Sequence, residues 1–188
     1  MLSPGRLLMA VEQVAIIDAD AVLVGGFALS LYGSPRLTGD LDTAVMAIPP
    51  EFENARRLSF GGVRTTVDGV PVDFILRDDD AGLLYDEAIS RARHIEGVAL
   101  RVARPEHLLA MKMYAGRKKD EADIEWMLRA KFQRDVDQVS KTMPPLIDRQ
   151  LAQVIVRQYL GVMAAKDLRQ SFELADWMAT RPEAEDED

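Results

Sequence analysis

The chain has 188 residues, 48% of them hydrophobic, with a formal net charge of −8 and no cysteine. That length suits one domain, or one domain with a small helical extension. The absence of cysteine excludes disulfides and thiolate metal ligands, the two histidines are too few for an ordinary zinc site, and the acidic balance argues against a protein that coats nucleic acid.

The stretch Met1-Leu2-Ser3-Pro4-Gly5-Arg6 lacks a signal-peptide pattern, and no apolar run reaches membrane-spanning length. The expectation is a cytoplasmic protein with no membrane partner. Five of the negative charges fall at Glu183, Glu185, Asp186, Glu187 and Asp188, and residues 183–188 read as a disordered acidic tail. Residues 86–134 hold eleven Lys/Arg against eight Asp/Glu, so a basic face beside an acidic site is compatible with the overall charge.

In chain order, residues 4–18 read as a helix, with Pro4 near its start and Leu7, Leu8, Val11, Val14 and Ala15 at helical spacing. Residues 21–24 form a short buried strand. Residues 27–32 make one or two helical turns, stopped by Gly33-Ser34-Pro35. Residues 41–47 are the second strand, halted by Pro49-Pro50, and residues 51–60 read as a short helix. Two β-rich runs over residues 63–76 flank Asp68-Gly69, the strongest short hairpin signal. Pro71 places the returning run at a sheet edge or gives it an irregular start. Residues 81–92 are helical, residues 98–102 a strand, and Pro105 opens a helix carrying Leu108, Leu109, Met111, Lys112 and Met113. Beyond it, residues 118–130, 135–143, 147–162 and 166–180 read as helices. Trp126, Met127, Trp177 and Met178 fall on apolar helical faces and are expected in the core.

The fold class that follows is α/β (α+β): a small mixed sheet with flanking helices over residues 1–104, a helical part over residues 105–182, and the tail.

The densest chemistry lies early. An apolar strand runs into Gly25-Gly26, and fourteen residues after Gly26 the chain reads Asp40-Leu41-Asp42. Residues i and i+2 of a strand share a face, so Asp40 and Asp42 sit side by side while Leu41 points to the core. Two like charges so close repel unless a cation lies between them, and hard oxygen ligands suit Mg²⁺ or Mn²⁺. Gly25 and Gly26 allow a phosphate to approach the backbone. Asp73 stands within the apolar run Val72-Asp73-Phe74-Ile75-Leu76, where a charge is costly unless paired or metal-bound. Three convergent carboxylates suit a two-metal phosphoryl or nucleotidyl transfer site. Read singly, these features have plainer meanings. Gly25-Gly26 is also a strand-to-helix turn, Asp40 and Asp42 a turn and a cap, and Lys112 a surface lysine. Asp78-Asp79-Asp80 reads as a loop and helix start, and His94 and His107 as structural or surface residues.

Taken together, Gly25-Gly26, the spacer with Arg36-Leu37-Thr38, Asp40-Leu41-Asp42 and Val72-Asp73-Phe74-Ile75 resemble the nucleotidyltransferase fold of the DNA polymerase beta superfamily. The resemblance is closest to the abortive-infection nucleotidyltransferase toxins (AbiEii-like). A second block, running from Leu108 through Lys112 and Arg117-Lys118-Lys119-Asp120-Glu121-Ala122-Asp123-Ile124, is similar to that family's later motif. The resemblance covers roughly residues 20–130.

It implies a Mg²⁺-dependent (or Mn²⁺-dependent) enzyme that moves a nucleoside monophosphate from an NTP to a hydroxyl of tRNA or protein, in a toxin–antitoxin setting with an antitoxin partner. Asp40, Asp42 and Asp73 would be catalytic and hold the metal. Gly25, Gly26 and Lys112 would face the nucleotide phosphates, with Arg36, Arg117, Lys119, Asp120 and Asp123 as further contacts to nucleotide or acceptor. The chain departs from the superfamily pattern at Gly26, where many members carry serine, so phosphate there would meet backbone N–H groups without a hydroxyl. Two other readings stay open. One is a nucleotidyltransferase acting on a small molecule such as an antibiotic. The other is a degenerate, non-catalytic nucleotide-binding protein.

Overall fold

A computed structural model describes residues 3–131 and 145–180. The helix expected at residues 135–143 and the acidic tail lie outside those residues. The described chain is mixed α/β, as its sequence pattern implies, with seven α-helices and one six-stranded sheet.

Helix α1 (Pro4–Ile17) starts at Ser3, whose side chain accepts the Arg6 N–H, and buries Leu7, Ala10, Val11 and Val14 against the sheet. Strand β1 (Val22–Val24) is buried along its whole length, as a strand covered on both faces must be. It runs directly into helix α2 (Gly25–Leu31). Strand β2 (Leu41–Ala44) follows, then a 3₁₀ turn at Pro50–Phe52 and a two-residue strand β3 (Arg56–Arg57). The short helix expected over residues 51–60 is therefore replaced by a turn and a strand. The reason is tertiary: Arg56 and Arg57 pair with Arg64 and Val63, and Phe52 stacks on Phe74 at 5.3 Å between ring centroids.

Strands β4 (Val63–Val67) and β5 (Val70–Ile75) form the expected hairpin. Its turn residues Asp68 and Gly69 have φ of 49° and 74°, the positive values that a tight two-residue hairpin requires. Pro71 does not mark an edge, because β5 is internal. In a two-residue hairpin the Val67–Val70 pair closes the ladder, so the next pair, Thr66 with Pro71, needs no N–H from proline on that side. The β2 pairing begins one residue later, at Val72.

Helix α3 (Gly82–Ser90) leads to β6 (Arg101–Val102). This strand is shorter than expected because the Val98 N–H turns back to the Ile95 carbonyl. Helices α4 (Pro105–Ala115), α5 (Lys118–Arg129), α6 (Arg149–Leu160) and α7 (Val162–Thr180) complete the described chain. Helix α7 begins four residues before the expected start. Trp177 and Met178 on it are exposed at 52% and 44%, so the expectation of a core role holds for Met127 but not for them.

The sheet order is β3-β4-β5-β2-β1-β6, with β2 parallel to β5 and β1 parallel to β6. Every residue of α4 from Pro105 to Lys112 is buried. A helix enclosed on all sides lies between layers, and α4 packs on α2, α3, α5 and α6. One cluster of buried apolar side chains therefore runs from Leu7 on α1 to Phe172 on α7, joining the sheet to the helical part. No helix among the described residues is long and apolar enough to cross a membrane.

Phe74 is fully buried in the central strand β5, next to Asp73 in the chain. Phe74→Ala is expected to lower unfolding free energy by roughly 3–5 kcal/mol, measured by urea denaturation. A loss below about 1 kcal/mol would contradict its central place in the core.

Candidate functional site

The parallel pairing of β2 with β5 sets Asp42 opposite Asp73. Residues in register on adjacent strands project to the same face, so the two carboxylates are neighbours. Leu41 and Phe74, on the other face, are fully buried. Asp40 precedes β2 and lies on the side of Asp42. Thr43 ties the two strands further, its hydroxyl donating to the Asp73 carbonyl at 3.1 Å.

A residue not expected at the site, Arg64, closes it. Arg64 sits opposite Asp73 across the hairpin. Its Nε donates to Asp73 Oδ1 at 2.5 Å, and its Nη2 donates to Asp73 Oδ2 at 2.8 Å and Asp40 Oδ2 at 3.3 Å. Thr38 Oγ1 donates to the other Asp40 oxygen at 2.8 Å. Among the described residues Asp42 makes no ion pair. Burial pushes its pKa up to about 6, and the charges of Asp40 and Asp73 add to the rise. The Gly26 N–H and Arg117 pull it back.

Gly25 explains how Asp42 fits. Its φ is 66°, and a Cβ built there would stand 2.0 Å from Asp42 Oδ2. Only glycine leaves room for that carboxylate in that backbone conformation.

Three carboxylates against one guanidinium leave two negative charges, the charge that one divalent cation supplies. Asp40 and Asp42 offer hard oxygens of the kind Mg²⁺ takes. Asp73 is engaged by Arg64, and among the described residues no group of three or more acidic, histidine or cysteine side chains is set to hold a metal ion. Arg64 also holds Asp40 Oδ2 at 3.3 Å, so the donor set fits a cation at Asp40 and Asp42, joined by Asp73, once Arg64 moves aside.

Facing the carboxylates is a basic wall from α4, α5 and the segment before β2. Lys112 is buried, its Nζ donating to Asp120 Oδ1 at 3.0 Å and Asp123 Oδ2 at 2.6 Å. Arg117 donates to Asp120 through Nε at 2.5 Å and Nη2 at 3.2 Å, and Arg36 pairs with Asp123. Burial pushes the Asp120 carboxyl up, but the hydrogen bonds from Arg117 and Lys112 outweigh it and hold it below the usual range. Three cations against two carboxylates leave this network positive. Lys119 adds an exposed charge without a carboxylate partner among the described residues.

The two groups line one cavity of about 480 Å³, in the usual range for small-ligand sites. Every site residue expected from the sequence lines it except Asp123, which lies behind Lys112 and Arg36. Lys112, expected to face the phosphates, lines the cavity with its ammonium held by two aspartates. Residues not anticipated on the lining include Thr38, Phe60, Arg64, Arg77, Tyr85 and Tyr114. Asp79 of the acidic triplet turns to Arg77 and the Ala81 N–H, as a helix-start residue does. His107 is buried beside Glu87, Nε2 to Oε2 3.7 Å, and is not among the residues lining the cavity.

Comparison with protein-family profiles and with characterised proteins finds no match to this chain.

The raised pKa of Asp42 has a signed effect on stability. Its ordinary value is 3.8 and its folded value is about 6. Between those values the unfolded chain releases the proton first, so stability falls as pH rises and the penalty is complete above about pH 6. Asp42→Asn removes the charge and keeps an acceptor for Gly26. In EDTA at pH 7 it should raise Tm by several degrees, at about 2–4 °C per kcal/mol for a chain of this size. The gain should vanish below about pH 4; an equal gain at both pH values would contradict the assignment.

Proposed function

We propose that the chain is a divalent-metal-dependent nucleotidyltransferase, transferring a nucleoside monophosphate from an NTP to an acceptor hydroxyl. The observation that carries this reading is the strand register that sets Asp42 beside Asp73, with Asp40 next to them, across one cavity from a net positive wall. A triphosphate needs both halves: carboxylates for its metal and cations for its own charge.

Asp40 and Asp42 are the residues that would hold Mg²⁺ or Mn²⁺. When bound, the metal supplies charge neutralisation at the α-phosphate and the leaving pyrophosphate. The acceptor oxygen forms a bond to the α-phosphorus, the bond from that phosphorus to the pyrophosphate oxygen breaks, and the hydroxyl proton passes to Asp73. For that, Arg64 must first release Asp73. Arg117 and Lys119 face the polyphosphate. Lys112 fixes Asp120 and Asp123, which hold Arg117 and Arg36 in place. The Gly26 N–H lies against Asp42, and a Cβ at Gly26 would press on the Thr38 side chain, 3.3 Å from its Oγ1. The acceptor class, tRNA or protein, follows from the sequence resemblance, as does the pairing with an antitoxin.

The test is incubation with Mg²⁺, each of four α-labelled NTPs and a total tRNA-plus-protein extract, beside an Asp40→Ala/Asp42→Ala control. Label is expected in RNA or protein with the intact chain and in neither with the control. Equal labelling by both proteins would overturn the assignment of the carboxylates.

A further inference from the structure

A second wall of the same cavity is aromatic. Phe60 comes from the loop after β3, Tyr85 from α3 and Tyr114 from the last turn of α4. These distant segments converge on one side chain, Arg77, just beyond β5. Its guanidinium carbon lies 5.8 Å from the Phe60 ring centroid, 5.5 Å from that of Tyr85 and 5.4 Å from that of Tyr114. Asp79 grips the guanidinium through two nitrogens, with Nε at 2.8 Å from Oδ1, which fixes its plane. The Arg77 side chain is only 9% exposed.

Phe60 and Tyr114 are each 38% exposed, and both line the cavity. Rings that served only to pack Arg77 would be expected to bury that surface. Tyr85 feels the charges of both Asp42 and Arg117, so the aromatic wall adjoins the carboxylates and the basic wall.

We propose that this wall, Phe60, Tyr85 and Tyr114 around Arg77, binds the nucleobase of the incoming nucleoside triphosphate. The proposal rests on the nucleotidyltransferase reading and deepens it. Aromatic faces and a planar guanidinium stack on any base, because every base has a π-face. The cavity is of single-nucleotide scale, and its three linings match the three parts of one ligand: aromatic for the base, acidic through a metal for the α-phosphate, and basic for the remaining phosphates. Stacking without hydrogen-bond readout discriminates weakly, so the four NTPs should differ mainly by stacking area, purines binding more tightly than pyrimidines.

Calorimetric titration in Mg²⁺ tests this with ATP, GTP, CTP, UTP and inorganic tripolyphosphate as probes. Tyr114→Ala should weaken ATP and GTP about tenfold or more, the scale of one lost base stack, and leave tripolyphosphate unchanged. Tyr114→Phe, which keeps the ring, should restore ATP affinity. Equal losses for ATP and tripolyphosphate would overturn the proposal, since the effect would then not belong to the base. Unchanged ATP affinity, with weaker binding of a short RNA oligonucleotide, would also overturn it and give the wall to an acceptor base. In both cases the nucleotidyltransferase reading survives. Failure of the intact protein to bind any NTP or tripolyphosphate would remove both.

Discussion

The site is organised by the repulsion of three carboxylates that the sheet forces together. The parallel register of β2 and β5 fixes Asp42 beside Asp73 without regard to their charge. Packing of Leu41 and Phe74 on the opposite face holds that register, since a slip of one residue would turn both out of the apolar core and the acids into it. The fold therefore maintains an unfavourable arrangement by apolar burial elsewhere. Arg64 relieves part of it by bridging Asp73 and Asp40. Asp42 is left to bear the rest: burial first, and then the charges of Asp40 and Asp73, push its pKa up. A raised carboxyl pKa of this kind means that ionising Asp42 opposes folding.

The basic wall is tied to the helical part as firmly as the acids are tied to the sheet. Lys112 on α4, Asp120 and Asp123 on α5, and Arg36 ahead of β2 form one partly buried network. Buried ion pairs contribute little net stability, but each fixes a geometry, because breaking one leaves an uncompensated charge. Here the network joins the α4–α5 corner to the segment that delivers Asp40. The helical part is thus a wall of the site, and the continuous core from Leu7 to Phe172 gives it a rigid seat.

Much of this was legible in the sequence. The apolar run into Gly25-Gly26, the Asp-x-Asp pair and the Asp68-Gly69 turn are local signals, and local geometry decides them. Arg64 was legible too, in retrospect: counting outward from the two-residue turn pairs residue 64 with residue 73. Other features were not readable because long-range contacts decide them. The segment 51–60 has helical composition, yet pairing with β4 makes part of it a strand. The two aspartates that hold Lys112 arrive from the next helix at distances only the folded chain fixes. Arg77 and its three rings lie on separate elements, with no spacing to reveal them. Gly25 was expected to make room for phosphate. Its missing Cβ first makes room for Asp42.

The central claim is that Asp40 and Asp42 hold a divalent cation over which a nucleotide is bound, with Arg64 giving way. The most direct measurement is anomalous diffraction from crystals of the protein grown with Mn²⁺ and a non-hydrolysable NTP analogue. The account predicts a manganese peak between the Asp40 and Asp42 carboxylates, with the polyphosphate along Arg117 and Lys119 and the Arg64 guanidinium withdrawn from Asp73. An analogue bound elsewhere, or Arg64 still bridging Asp73 and Asp40 with no manganese beside them, would contradict it.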